Sequence, residues 1–308
     1  MNKNKKRFEH HSKDYSGIRE YPVTKDTELL VFLLETLKDQ SRNSVKSLLS
    51  NHRVSVDGAP ISQFNFKLVK GDVVIISKTP IHKKTRSHLP IIFENEEFIV
   101  INKPSGLLSI ASDKEKGSTA YRMLTDYVQQ KDKHNRIYVV HRIDEDTSGV
   151  LMVAKNPKIR DLLQNSWNDL VKSRRYIAIV DGIMEKQSGT VESYLKMNAQ
   201  NMMYSSKKKG DGQYSVTHYK VLSTKDNYSL LDVQIDSGRK NQIRVHMGDL
   251  GHHVIGDDKY GNPTNPIKRL GLHAYQLELI HPISKKLMKF TAPIPKEFSQ
   301  LFPDIKVN

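Results

Sequence analysis

From Ile91 onward, short apolar runs are interleaved irregularly with amphipathic helical stretches. This pattern restricts the fold more than any other part of the chain does. Residues 98–101 and 150–154 are runs of the kind that form buried strands. Between them, residues 120–128 carry apolar side chains at positions i, i+3, i+4, i+7 and i+8, which is the spacing of an amphipathic helix. A regular β-α-β alternation is missing, so residues 91–308 are predicted to form an α+β domain with a mixed, mostly antiparallel sheet. Further strands are predicted at residues 138–140, 176–180, 215–221, 231–235 and 277–281.

A second amphipathic helix is predicted from residue 157 to residue 171. Pro157 suits its first turn, and the apolar positions that follow recur at helical spacing. Trp167, the single tryptophan, falls on the apolar side of this helix and is most simply a core residue.

The charge balance points to a polyanionic partner. The 308 residues include 49 Lys and Arg but only 34 Asp and Glu, which gives a formal net charge of +15. This excess favours nucleic acid as the partner, although contact with an acidic membrane surface, or solubility alone, would also explain a basic chain. The chain has no cysteine, which excludes disulfides, thiolate metal sites and a cysteine nucleophile.

Several other classes of protein lack their usual sequence signals here. No run of about 18 apolar residues and no secretory signal are present, so a soluble cytoplasmic protein without membrane contact is expected. The chain has 13 histidines, but neither a His-Glu-x-x-His motif nor another suitably spaced ligand set occurs, so no metal is expected. The glycine-rich signatures of nucleotide hydrolysis, dinucleotide binding and serine hydrolysis are also absent.

The N-terminal part of the chain follows a different pattern. Residues 1–22 are polar and basic and are predicted to form an extended arm. Apolar positions between residues 24 and 50 recur at helical spacing with a polar interruption at residues 39–41, which predicts two short helices joined by a turn. Two strands with turns are predicted to follow, at residues 53–58 and 66–76.

Basic side chains are concentrated at two places in this part of the chain. Lys38, Arg42 and Lys46 are spaced by four residues, so on a single helix they would share one face, away from the leucines. Such a face either follows a phosphate backbone or is simply solvated. Residues 78–90 carry two prolines and several Lys and Arg without periodicity, and are predicted to be a basic linker.

A dense charged loop with the sequence HRIDEDTSG, residues 141–149, lies between two predicted strands. Polar side chains on loops that rigid strands hold at both ends are common in functional sites. The last four residues of the loop suit a turn, which leaves Asp144 as the better candidate for a nucleophile. The alternative is an Asx turn with an Arg–Asp pair and no chemical role.

The charged loop resembles the His-Arg-Leu-Asp-x-x-Thr-Ser-Gly signature of the RluA family of RNA pseudouridine synthases, with Ile143 in place of Leu. Residues 237–246, SGRKNQIRVH, resemble the family's Thr-Gly-Arg-x-His-Gln-Ile-Arg-x-His segment and depart from it at Ser237 and Asn241. Further segments resemble the family in the same order along the chain. They are residues 102–106 (NKPSG), 174–182 (around RRY), 256–261, 272–274 and 281–282.

Residues 23–77 resemble the S4 RNA-binding module. The resemblance rests on a paired-helix unit with Ser41-Arg42, a Val-x-Val-Asp-Gly strand and a Gly-Asp-x-Val strand. The two resemblances together imply a two-domain RNA pseudouridine synthase. A small N-terminal S4-like α/β RNA-binding domain would precede a catalytic domain at residues 91–308.

The family resemblance implies a cofactor-free isomerisation of uridine to pseudouridine. The N1 glycosidic bond breaks, the uracil turns, and C5 bonds to the same C1′. Asp144 is then the nucleophile, which attacks either C1′ or C6. The resemblance makes Arg244 the guanidinium that keeps the carboxylate of Asp144 ionised, and makes Tyr176 the ring that packs on the uracil and helps to move a proton at C5.

The same resemblance implies how the protein meets RNA. Arg142 would fill the stack that the target nucleotide leaves when it turns out of the helix. Lys103 and Arg239 would contact a phosphate or a base, and the RNA would be ribosomal or transfer RNA. A monomer without an obligate protein partner is expected.

Two rival interpretations remain at this point. The first is an S4-type RNA-binding protein with a catalytically inert second domain. The second is a glycoside hydrolase that uses Asp144 with Glu145 or Asp146, although such close neighbours do not reliably reach both sides of a sugar ring.

Overall fold

The computed structural model describes residues 18–81, 89–111, 118–261 and 264–305. The chain divides into two units, Met1–Ser87 and His88–Asn308. Residues 1–17 of the predicted arm and residues 82–88 of the predicted linker lie outside the described residues.

The first unit has two short helices, as the interrupted periodicity predicts, together with several short strands. In chain order its elements are β1 (Ile18–Pro22), β2 (Thr27–Glu28), α1 (Leu29–Thr36), α2 (Arg42–Ser50), β3 (Val54–Val56), β4 (Ala59–Pro60), β5 (Lys67–Leu68) and β6 (Val73–Ser77). Within residues 18–81, four strands form an antiparallel sheet with the order β1-β6-β3-β4, and β2 pairs with β5.

The two helices of the first unit share one core with its strands. Leu29 and Leu33 of α1 and Val45 and Leu49 of α2 are all almost completely buried, and they pack with apolar side chains of β3 and β6. Burial of an aliphatic side chain of this size stabilises a fold by roughly 2 kcal/mol. The apolar positions that predict the helices are therefore also the ones that hold this unit together.

The second unit alternates helices with the strands of one large sheet. In chain order its elements are β7 (Ile91–Glu94), β8 (Phe98–Lys103), α3 (Ala120–Gln129), β9 (Tyr138–Val139), β10 (Ser148–Ala154), α4 (Pro157–Asn165), α5 (Trp167–Leu170), β11 (Val171–Asp181), β12 (Ser188–Met197), β13 (Met203–Ser206), β14 (Gln213–Lys225), β15 (Tyr228–Ile235), α6 (Gln242–Asp249), β16 (Leu272–Ile280), β17 (Leu287–Thr291) and α7 (Lys296–Leu301).

Eleven strands of the described chain form this sheet, with the order β13-β12-β14-β15-β11-β16-β10-β8-β7, while β17 also pairs with β16 and β9 with β10. The pairs are antiparallel except for β10 and β16, which are parallel. The predicted α+β domain with a mixed, mostly antiparallel sheet is therefore confirmed.

The parallel contact between β10 and β16 places the end of the charged loop inside the sheet. Gly149, which pairs with Ala274, has a φ of +114°. A Cβ atom at this position would lie 2.1 Å from the carbonyl oxygen of Ala274, and only glycine avoids that overlap. Gly149 thus allows the close approach that anchors the loop at residues 141–149.

The two faces of the sheet are covered by different helices. Successive side chains of a strand point to opposite faces, and β11 follows this rule. Val180 packs in the same core as Met247 of α6, whereas Ile179 packs with Phe298 of α7. None of the helices in the described part of the chain is both long and apolar enough to cross a membrane.

The helix predicted from residue 157 to residue 171 is interrupted. The side chain of Asn156 caps α4 by accepting a hydrogen bond from the backbone amide of Ile159 (2.9 Å), and Pro157 occupies the first turn. Ser166, at φ −123° and ψ 26°, then separates α4 from the four-residue α5. Val171 already begins β11, because the strand continues the sheet beside β16.

Candidate active site

A cleft of about 500 Å³ opens on the α6 side of the second unit. Its walls come from segments that lie far apart in the sequence: residues 140–144 before β10, the first part of β11, and residues 235–244 between β15 and α6. Of the predicted site residues in this unit, all but Lys103 line the cleft. They are Arg142, Asp144, Tyr176, Arg239 and Arg244.

Asp144 lies in the cleft wall and faces the beginning of α6. Its Oδ2 accepts a hydrogen bond from the backbone amide of Asn241 (3.2 Å), the residue that precedes the helix. The first amides of a helix have no partner within the helix, and the helix dipole favours negative charge at this end. The beginning of α6 therefore supplies a hydrogen-bond donor to the carboxylate of Asp144.

Arg244 makes its ion pair with Asp257 instead of Asp144. Its Nε donates to Asp257 Oδ2 (2.7 Å) and its Nη2 to Asp257 Oδ1 (2.6 Å), while Nη1 donates to Asn241 Oδ1 (3.1 Å). Both partners of this pair are buried, with side-chain exposures of 7% and 1%. The partnership between Arg244 and Asp144 that the family resemblance implies is therefore not a direct ion pair.

The negative charge of Asp144 nevertheless contributes to the pKa of Arg244. Burial lowers the pKa of Arg244, but the hydrogen bonds and the charge of Asp257 outweigh burial, and Asp144 adds a smaller contribution in the same direction. The net effect raises the pKa of Arg244 above its ordinary value. The guanidinium is a permanent, oriented cation beside the cleft.

Tyr176 lies on β11, where it pairs with Val233 of β15 and packs on the core beneath α6. Burial raises the pKa of Tyr176 to about 12; the charge of Arg174 lowers it and that of Asp144 raises it. The side chain is therefore a neutral phenol near pH 7, with a proton to donate and an aromatic face toward the cleft.

The two exposed arginines at the cleft come from different segments of the chain. Arg142 stands next to Ile143 in the charged loop, and Arg239 lies in the turn between β15 and α6. The side chains of both are solvent-accessible, so both can meet a ligand that enters the cleft.

Lys103 is placed differently from the prediction. Its side chain is completely buried, and its Nζ donates to three backbone carbonyl oxygens, those of Pro104 (2.9 Å), Leu107 (2.6 Å) and Glu145 (2.8 Å). Burial lowers the pKa of Lys103 to about 7, against the opposing charges of Asp146 and Asp144. The RNA contact predicted for Lys103 has no support in this structure, because Nζ is buried and is hydrogen-bonded to carbonyl oxygens of the protein.

The three basic residues of the first unit do not form one helical face. Lys38 follows the end of α1, and α2 begins only at Arg42, after Ser41 caps it by accepting a hydrogen bond from the amide of Ser44 (3.2 Å). Arg42 and Lys46 are four residues apart on α2 and are exposed on the same side. The predicted basic face therefore consists of Arg42 and Lys46 alone, and Lys38 is exposed in the preceding turn.

Trp167 is a wall of the cleft as well as a core residue. Its indole stacks on the ring of His141, with centroids 5.1 Å apart, and both line the cleft. The Nε2 of His141 accepts a hydrogen bond from the amide of Met152 (2.9 Å), and burial together with Arg174 lowers the pKa of His141 to about 3. Sequence reasoning missed this pair because the break at Ser166, which turns the indole toward the loop, is not visible in the periodicity.

Asn241, Asp257 and Tyr260 also belong to the surroundings of the site and were missed. Asn241 Nδ2 donates to the hydroxyl oxygen of Tyr260 (3.0 Å), whose ring lies under the guanidinium of Arg244, 5.1 Å from its centroid. The Oδ1 of Asp257 accepts from the amides of Lys259 and Tyr260 (both 2.9 Å). The departure from the family pattern at Asn241 was the one signal in the sequence that could have drawn attention to this position.

Within the described ranges, no group of three or more His, Asp or Glu side chains has an arrangement that could hold a metal ion.

The chain is similar to known proteins along most of its length. Residues 97–249 match the sequence model of the RNA pseudouridylate synthase family. The chain is 34% identical over 289 residues to ribosomal large subunit pseudouridine synthase D of Zymomonas mobilis, a match that covers 87% of this chain and 90% of that protein. It is 31% identical over 288 residues to the uncharacterized RNA pseudouridine synthase YlyB of Bacillus subtilis, with 90% and 93% covered.

The fold has a counterpart among solved structures. The human protein described as RNA pseudouridylate synthase domain containing 4 superposes with a TM-score of 0.56 at 22% identity. The superposition covers 70% of this chain and 92% of that one. With a matching family model and relatives above 30% identity along most of their length, the chain belongs to the RluA family of RNA pseudouridine synthases.

Proposed function

We propose that this protein converts uridines of large-subunit ribosomal RNA to pseudouridine, with Asp144 as the nucleophile. The observation that carries the proposal is the position of Asp144: a carboxylate in the cleft wall, hydrogen-bonded to the amide of Asn241 at the start of α6. A carboxylate acts as a nucleophile through its oxygen atoms, and this hydrogen bond fixes the position of one of them in the cleft.

The chemical steps require little beyond these groups. The N1–C1′ bond breaks, the uracil rotates, and a C5–C1′ bond forms. C5 loses a proton and N1 gains one, so the atoms balance without an external reactant. The Asp144 carboxylate bonds to C1′ or to C6 in the intermediate and is released at the end. Arg244, which Asp257 holds in place, balances the negative charge near Asp144 through space.

Tyr176 is assigned to the uracil. The neutral phenol that its raised pKa ensures offers an aromatic face for the base and a hydroxyl that holds or passes on a proton at C5. Its position on β11, where it lines the same cleft as Asp144, supports this role.

RNA has to be opened for the uracil to enter the cleft. Turning a nucleotide out of a stack costs a few kcal/mol, and an exposed side chain at the entrance offsets part of that cost by filling the gap. Arg142 is assigned this role and Arg239 a phosphate or base contact, because both are exposed at the cleft. Residues 23–77 are proposed to be an S4-like RNA-binding domain in which Lys38, Arg42 and Lys46 contact phosphates.

The choice of ribosomal RNA rests on the relatives. A protein named ribosomal large subunit pseudouridine synthase D is 34% identical to this chain along 90% of its own length. Transfer RNA is the alternative target. We further propose that the protein acts as a monomer in the cytoplasm and that residues 91–308 form the catalytic domain.

The test uses unmodified transcripts of the large-subunit ribosomal RNA and of the transfer RNAs from the organism that carries the gene. Wild-type protein and the Asp144→Asn variant are incubated with each transcript, and pseudouridine and free uracil are measured by mass spectrometry. Pseudouridine in the ribosomal transcript with the wild type, and none with Asp144→Asn, is expected.

Two matched variants, Glu145→Gln and Asp146→Asn, remove the exposed neighbouring carboxylates and should keep the activity. Equal product from wild type and Asp144→Asn would remove Asp144 as the nucleophile. Free uracil would instead indicate glycoside hydrolysis. Modification of transfer RNA alone would show that transfer RNA, and not ribosomal RNA, is the target.

A further inference from the structure

A line of hydrogen-bonded side chains runs from the wall of the cleft to the far end of α6. At the cleft, Gln242 Oε1 accepts hydrogen bonds from the backbone amide of Arg239 (3.1 Å) and from the hydroxyl of Ser237 (2.8 Å). At the far end, Asp249 Oδ2 accepts a hydrogen bond from the hydroxyl of Ser205. The side chains between these two ends are Thr217, His246 and Ser193.

The direction of the line is set at the cleft by two backbone groups. Gln242 Nε2 donates to the carbonyl oxygen of Val216 (2.9 Å), which can only accept, while Gln242 Oε1 faces the amide of Arg239, which can only donate. The orientation of the side-chain amide is therefore unambiguous. Its second Nε2 proton goes to Thr217 Oγ1 (3.0 Å), so the hydroxyl proton of Thr217 is left for His246 Nδ1 (2.8 Å).

The far end sets the same direction independently. An ionised Asp249 can only accept, so it takes the single hydroxyl proton of Ser205. Ser193 Oγ, 3.0 Å from Ser205 Oγ, must then donate to Ser205. The oxygen of Ser193 is left to accept, and the group that faces it is His246 Nε2 at 2.9 Å.

Both ends therefore require one form of His246, with a proton on Nε2 and a lone pair on Nδ1. The side chain is completely buried, and burial lowers the pKa of His246 to about 4, against a smaller opposing effect of Asp249. The ring is neutral near pH 7, as the hydrogen bonds demand. A proton on Nδ1 would face the hydroxyl proton of Thr217 and break the line next to Gln242.

We propose that His246 is a positioning residue that, in its Nε2-protonated form, orients Thr217 and Gln242 and thereby holds residues 237–241 against the cleft. The proposal rests on the proposed function, because the segment 237–241 ends in the amide that binds the nucleophile Asp144. His246 itself does not touch the substrate. Its contribution is to keep the turn between β15 and α6 in the one conformation that presents this amide.

The first test measures the tautomer directly in the wild-type protein. Histidine labelled with ¹⁵N gives distinct resonances for protonated and unprotonated ring nitrogens, and comparison with a His246→Gln variant assigns those of His246. At pH 7 we expect a protonated Nε2 and an unprotonated Nδ1. A protonated Nδ1, or a doubly protonated ring, would overturn the proposal.

The second test asks whether the hydroxyl of Thr217 matters for the reaction. Thr217→Val keeps the shape of the side chain and removes the hydroxyl, whereas Thr217→Ser keeps the hydroxyl. Single-turnover rates on the unmodified large-subunit ribosomal RNA transcript should fall about tenfold in Thr217→Val and recover to within about twofold of wild type in Thr217→Ser. The RNA Kd should change by less than about twofold in both variants, because Thr217 does not line the cleft.

The outcomes separate this proposal from the proposed function. A wild-type rate in Thr217→Val, or an equal loss in Thr217→Ser, overturns the positioning role even when Asp144→Asn is inactive. Activity retained by Asp144→Asn overturns the role of Asp144 as the nucleophile. The tautomer of His246 would still test the direction of the hydrogen bonds from Gln242 to Asp249. Where Thr217→Val does not fold, the tautomer measurement decides alone.

Discussion

The backbone amide of Asn241 donates a 3.2 Å hydrogen bond to Oδ2 of Asp144 although the two residues are 97 positions apart in the chain. Asn241 adopts φ 55° and ψ 20°, the left-handed conformation that asparagine tolerates better than most residues. Its side chain also joins Arg244 to Tyr260 by accepting from the guanidinium and donating to the phenol. One residue thus connects the proposed nucleophile to the buried cation.

Two substitutions at Asn241 separate its backbone from its side chain. Asn241→Gly keeps the left-handed conformation and the amide donor but loses the side-chain bonds, so single-turnover rates should fall about tenfold. Asn241→Val introduces a β-branched residue into a conformation that it strongly disfavours, which should shift the amide and lower the rate about a hundredfold. Equal rates in the two variants would contradict the role of the backbone amide.

The Arg244→Leu variant should lose stability as well as activity. It leaves the carboxylate of Asp257 buried without its cation, which costs about 3–5 kcal/mol in the free energy of unfolding. Urea titration measures this loss, and Arg160→Leu is the matched control because its ion pair with Asp161 lies at the surface, where such pairs contribute little to stability. An unfolding free energy for Arg244→Leu equal to that of the control would argue against a structural ion pair.

The Lys103→Met variant should destabilise the protein without weakening its affinity for RNA. Methionine fills a similar volume but leaves the carbonyl oxygens of Pro104 and Leu107 without the Nζ donor, while the carbonyl oxygen of Glu145 keeps the amide of Gly106. The free energy of unfolding should therefore fall by at least about 2 kcal/mol. The RNA Kd of the folded variant should stay within about twofold of wild type. Arg142→Met, which removes an exposed cation at the cleft, should weaken RNA binding instead. A loss of RNA affinity in Lys103→Met larger than that in Arg142→Met would show that Lys103 contacts RNA after all.

Gly149→Ala tests the close approach of β10 and β16. The new methyl group would overlap the carbonyl oxygen of Ala274, so separation of the strands or misfolding is expected, at a cost of more than about 3 kcal/mol. Gly210→Ala is the control, because Gly210 has a φ of +79° but open space around the position of a Cβ atom, and it should cost only about 1 kcal/mol. Similar melting temperatures for the two variants would show that backbone strain alone, and no contact with Ala274, explains the effect of Gly149→Ala.

Local elements were predictable where one face of the element is buried. The apolar spacing of residues 120–128 predicts a helix, and α3 spans Ala120–Gln129. The apolar run at residues 150–154 lies within β10, whose seven residues are all buried. Periodicity reports burial directly, so it succeeds for such elements. It does not report a change of direction within an apolar stretch, and for this reason the break at Ser166 and the exposure of Trp167 to the cleft escaped prediction.

The sequence by itself determined the class of the fold, the charged loop with Asp144 and the family, because these depend on local residue patterns and on motifs in a fixed order. Only the tertiary structure decided which groups meet. It paired Arg244 with Asp257, buried Lys103 among carbonyl oxygens, and brought the amide of Asn241 to Asp144. These partners lie on β8, on α6 and on the loops between elements. They meet because the order of the strands in the sheet brings together segments that lie far apart in the chain, and no local pattern of residues encodes that order.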